Sequence, residues 1–104
     1  MRNKVSPTGL GLILIFALAA SPVPQVSVPD LTQRLGCWAC HSLQGQGGKE
    51  ASPLDRIGAR LTPEALQTAL IRPRRGHPGA KMPSYAQLRP WEMQALVNYL
   101  ANLK

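Results

Sequence analysis

Acidic residues are scarce in this chain of 104 residues: five Asp and Glu stand against twelve Lys and Arg, a formal net charge of +7. Cysteine is scarcer still, with two. Two cysteines and two histidines, of which His77 lies apart in a glycine-proline loop, fall short of the four protein ligands that a structural zinc site needs. A disulfide between Cys37 and Cys40 would close a very short, strained ring. No stretch alternates apolar and polar residues as a strand would, and no segment repeats. That excludes the strand-and-helix framework in which a two-cysteine pair of the thioredoxin kind works. An all-α chain of about three helices and long loops is the expectation.

A long apolar run is missing too. Leu10 to Ala20 is uninterrupted but too short for a comfortable membrane span, and Pro22 and Pro24 follow at once. Arg2 and Lys4 ahead of it, and small residues at Ala17 and Ala19, make residues 1–20 read as a secretory signal peptide, with an uncleaved anchor as the weaker alternative. Ser21 stands where a lipoprotein would need cysteine. Residues 21–29 carry three prolines and read as an extended tether, leaving 30–104 as the folded domain. Loss of the leader lowers the charge to +5 and leaves about eighty residues, a size at which a protein-only core is marginal.

What is present is concentrated in one pentapeptide, Cys37-Trp38-Ala39-Cys40-His41. Two cysteines separated by two residues, with histidine immediately after, form the attachment site of a c-type haem. One turn presents both sulfurs to neighbouring porphyrin vinyl groups, and His41 supplies the proximal axial ligand. A covalently tethered haem also gives a small domain the large apolar element that it lacks. Export agrees with this cofactor, which in bacteria is attached outside the cytoplasm; the expected location is the periplasm or the outer face of the cytoplasmic membrane.

The remaining pattern is helical. Asp30 reads as the N-cap of a first helix through Leu31 and Leu35 into Cys37. Gly45-Gln46-Gly47-Gly48 reads as a loop passing close to the haem edge. Thr62-Pro63-Glu64 starts a second helix that ends before Pro73, with Leu66, Leu70 and Ile71 as its buried stripe. A long loop rich in glycine, proline and arginine then runs to about Leu88, and the last helix begins at Pro90 with Met93, Leu96, Val97, Leu100 and Leu103 at spacings of three and four.

Iron held by His41 requires a sixth ligand or an open site. Met82, in Lys81-Met82-Pro83, lies outside any helix where a loop can carry a thioether over the distal face, and Pro83 stiffens the backbone after it. Met93 belongs to the last helix's apolar stripe, so its role is packing. His77, between Gly76 and Pro78, reads as an exposed loop histidine. A thioether favours ferrous iron and raises the potential relative to bis-histidine ligation.

With these residues the chain resembles the small bacterial monohaem class I cytochromes c over about 30–104, through the pentapeptide after a short helix, the Met82-Pro83 loop and the closing helix. The resemblance implies that the first and last helices cross, setting Leu31 and Leu35 against Tyr99 and Leu100. It also implies that the carbonyl of Pro53 accepts the proton on the second nitrogen of His41, although the family's usual glycine-proline pair is Ser52-Pro53 here. Ile57 to Pro63 is similar to the modules attached to respiratory complexes, with Arg60 as the residue for a haem propionate. The implied function is a periplasmic single-electron carrier between respiratory complexes, not an enzyme. Competing readings are a haem subunit held permanently in a larger membrane complex, and a haem sensor or peroxidase with an open sixth site. Arg72, Arg74, Arg75 and Lys81 make a basic segment whose expected partners are redox proteins with acidic docking surfaces, not nucleic acid, with membrane contact through the leader or a partner complex.

Overall fold

The computed structural model describes residue 11, residues 13–15 and residues 24–104. The leader read over 1–20, including the cleavage residues Ala17 to Ala19, and the first three residues of the tether lie outside the described residues apart from 11 and 13–15. Among the described residues, no helix is long and apolar enough to cross a membrane.

The first helix, α1, spans Val28–Leu35. It starts three residues earlier than the pattern suggests, because Ser27 is its cap: the Ser27 hydroxyl accepts from the Asp30 amide at 3.4 Å. Pro29 is tolerated because amides of the first turn have no intrahelical partner. Asp30 therefore sits inside the first turn, where its carboxylate complements the helix dipole, and Arg34 does the same at the other end. The tether accordingly ends at Ser27, not Pro29. Nor does α1 run into the cysteines: Gly36, at φ 77°, adopts the left-handed conformation that stops the helix.

A 3-10 turn, Cys37–Ala39, comes next, then two short antiparallel strands, β1 (Ser42–Leu43) and β2 (Gln46–Gly47). The glycine segment is thus half a hairpin and not a plain loop, its tight turn made by Gln44 and Gly45, both at positive φ. Two residues per strand are too few for alternation to register in the sequence.

Helix α2 (Ile57–Arg60) is a single turn, and α3 (Pro63–Ile71) has the predicted start, with the Thr62 hydroxyl accepting from the Ala65 amide at 3.1 Å. A further single turn, α4 (Pro73–Gly76), occupies ground expected to be loop, since a proline at the first helical position can open a helix as well as close the one before. Helix α5 (Pro90–Ala101) closes the fold, the amide of its N-cap, Arg89, donating to the Glu92 carboxylate at 3.1 Å.

Both α1 and α3 pack on α5. Leu31, Leu54, Leu66, Leu70, Tyr85, Met93, Leu96, Val97 and Leu100 form one buried cluster, with Leu35, Met82 and Tyr99 partly buried against it. Burial of each large apolar side chain stabilises by about 1.5–3 kcal/mol. The resulting all-α architecture, with little strand, matches the expected class, and Met93 has the core position assigned to it.

Candidate cofactor-attachment site

Gly36 turns the chain so that Cys37 opens a tight bend in which the Cys40 and His41 amides both donate to the Cys37 carbonyl, at 3.4 and 3.0 Å. Both thiols are free; Cys37 is half-buried and Cys40 exposed. Burial pushes the Cys37 thiol up, an effect partly offset by its backbone hydrogen bond. Among the described residues, no three His, Cys, Asp or Glu side chains gather as a metal cluster.

The bend is fastened on two sides. On one, Trp38 Nε1 donates to the Thr32 hydroxyl at 3.2 Å, and Thr32, buried in α1, donates in turn to the Val28 and Pro29 carbonyls at 3.0 and 3.1 Å. On the other, the Gly48 amide donates to the Trp38 carbonyl and the Ala51 amide to the Cys40 carbonyl, each at 2.9 Å. Gly48 sits so close that a Cβ there would lie 2.2 Å from the Ala39 carbonyl oxygen. The glycine segment therefore covers the attachment bend itself.

His41 is oriented by a single contact: Nδ1 lies 2.7 Å from the Ser52 carbonyl oxygen. A carbonyl only accepts, so Nδ1 carries a proton, and in the neutral ring Nε2 is the nitrogen left with a lone pair. The partner is Ser52, not Pro53. The Leu54 amide is tied to the Ser42 carbonyl at 2.9 Å. With the Ser52 carbonyl on the imidazole, that of Pro53 accepts instead from Arg60 Nη2 at 3.5 Å. Arg60 is exposed at the end of α2.

Met82 lies in irregular backbone, half-buried against the core, its carbonyl accepting from Arg74 Nη1 at 3.4 Å. His77 is exposed. Tyr85, three residues beyond Met82, is a residue that sequence reasoning passed over: its hydroxyl donates to the Leu35 carbonyl at 2.8 Å, beside the cysteine bend. Its phenol is pushed up by burial first, then by the nearness of Cys37 and Cys40. The aromatic residue closing Met82-Pro83-Ser84-Tyr85 was the available signal.

The residues present fit haem c: two unpaired thiols on one bend, an imidazole with one nitrogen left free of hydrogen bonds to other described residues, and a partly buried thioether on a separate loop. The family model for cytochrome c matches residues 30–104. No curated protein and no solved structure matches this chain.

Proposed function

The chain belongs to the cytochrome c family, and on that premise we propose that it is a periplasmic single-electron carrier whose iron is held between His41 and Met82. Haem c, attached covalently through Cys37 and Cys40, supplies a one-electron couple between ferrous and ferric iron. The protein's own residues set the conditions for that couple. Ser52 holds the His41 ring through Nδ1, which fixes the tautomer and strengthens Nε2 as a donor. Met82 takes the sixth position, favours the ferrous state and bars oxygen and peroxide from the metal. Arg60, exposed and donating to the Pro53 carbonyl, is the residue assigned to pair a propionate.

The leader, with its basic start and small cleavage residues, supports export; a mature protein whose mass retains residues 1–20 would instead favour a membrane-held subunit. Arg72, Arg74, Arg75 and Lys81 are all exposed and supply a positive face for acidic redox partners of a respiratory chain.

The observation that carries the reading is the His41–Ser52 contact, because it engages Nδ1 and leaves Nε2 available to bind a metal. Absorption spectra of the ferric and ferrous protein, with and without carbon monoxide, test it against Met82→Ala. Wild type should show the weak sulfur-to-iron charge-transfer band and take up carbon monoxide slowly, while Met82→Ala should lose the band, fall in potential and bind carbon monoxide at once. Rapid uptake by wild type would sink the carrier reading.

A further inference from the structure

Two stretches distant in sequence have to be held in register for one iron to be gripped from both sides: the bend that begins at Cys37 and the irregular segment that carries Met82. The segment has few regular backbone bonds of its own, so its position depends on the Arg74 side chain that donates to the Met82 carbonyl from α4 and on the anchors made by Ser84 and Tyr85 at its end. Ser84 donates its hydroxyl to the Ile71 carbonyl, and the Tyr85 amide donates to the Leu70 carbonyl at 2.9 Å, which together tie the segment to the end of α3. Neither bond reaches the cysteine bend. The Tyr85 hydroxyl does, donating at 2.8 Å to the carbonyl of Leu35, the last residue of α1 and two positions before Cys37. The ring is buried, with 6% of its surface exposed, and the bond at its hydroxyl end is partly buried.

We infer that Tyr85 is a positioning residue for the sixth ligand: its hydroxyl, bonded to the Leu35 carbonyl, holds the Met82 segment in register with the haem-attachment bend. The inference rests on Met82 being the ligand. Tyr85 touches no reacting atom; it acts by limiting how far the segment can swing away from the bend. When the hydroxyl is removed the segment keeps its anchors on α3 but loses its one direct bond to the end of α1, and excursions that take the thioether off the metal become more frequent. Loss of one hydrogen bond of ordinary strength raises their population about five- to tenfold.

The test uses the haem-loaded full-length protein and four forms: wild type, Tyr85→Phe, Met82→Ala, and Val97→Ala as a control that loses core packing of the same buried cluster on the α5 side, near the start of α3, and removes no hydrogen bond of either segment. Tyr85→Phe keeps the ring and the fold. The quantity read is the rate of carbon monoxide uptake by the ferrous protein at 25 °C, well below unfolding, together with the temperature at which the ferric sulfur-to-iron band bleaches. Tyr85→Phe should take up carbon monoxide about five- to tenfold faster than wild type and bleach at a lower temperature, still far slower than Met82→Ala. Val97→Ala should stay close to the wild-type rate although it unfolds earlier. If Tyr85→Phe matches wild type while Met82→Ala is fast, or if Val97→Ala accelerates as much as Tyr85→Phe, the positioning role is overturned and Met82 ligation stands. If wild type is already as fast as Met82→Ala, ligation by Met82 itself has failed, and the positioning role falls with it.

Discussion

Replacing Gly48 by alanine sets two opposed effects against each other at the attachment bend. Its φ is not positive, so alanine can adopt the backbone; by restricting the unfolded chain, the substitution would stabilise by about 0.4–1 kcal/mol. Against this, the new Cβ would lie 2.2 Å from the Ala39 carbonyl oxygen, 2.7 Å from its carbon and 2.9 Å from the Cys40 Cα. All three are backbone atoms that no rotamer change can move. Ordinary contact requires the bend and the hairpin to part by about 1 Å, an overpacking cost of about 1–3 kcal/mol. The same movement stretches the 2.9 Å bond from the Gly48 amide to the Trp38 carbonyl out of range, a further loss of about 1 kcal/mol. Sterics win, and the net loss is about 2–3 kcal/mol, or about 10–20 °C in Tm for a domain this small. Thermal unfolding of the haem-loaded protein followed by circular dichroism measures it. Gly36→Ala is the comparison, since a Cβ there meets nothing within 4 Å and the cost is only that of the left-handed backbone, about 1–2 kcal/mol. A Gly48→Ala protein that melts with wild type, or above Gly36→Ala, would refute the close-approach reasoning.

Trp38→Phe keeps a ring between the cysteines but removes the Nε1 donor to Thr32; it should cost about 1 kcal/mol, and a double-mutant cycle with Thr32→Val should show coupling of about 0.5–1.5 kcal/mol. Zero coupling would mean that the bend is not fastened to α1 through this bond. Neutralising Arg72, Arg75 and Lys81 to Gln should slow electron transfer to an acidic redox protein about tenfold at low ionic strength, with the difference vanishing at high salt. Stopped-flow rates across a salt series decide it, and equal rates at low salt would remove the basic face from the docking account.

The attachment bend was legible because its chemistry is local: two thiols and an imidazole within one turn require fixed residue types at fixed spacing. The same holds for α3 and α5, whose caps, first-turn prolines and apolar spacing are short-range signals. The start of α1 differs from the pattern because Asp30 and Ser27 both have the chemistry of a cap, and only the fold shows which side chain meets a free amide. The small hairpin and α4 escaped notice because elements of two and four residues are too short to show a period.

What the amino-acid order determined by itself was the cofactor, the all-α class and the place of Met93 in the core, since each depends on neighbours within a turn or two. The tertiary structure alone decided that Ser52 and not Pro53 orients His41, because adjacent carbonyls differ only in the direction they face. It alone decided that Tyr85 reaches back fifty positions to Leu35. Hydrogen bonds between segments far apart in the chain leave no periodicity behind them, and they become visible only when packing brings donor and acceptor within about 3 Å.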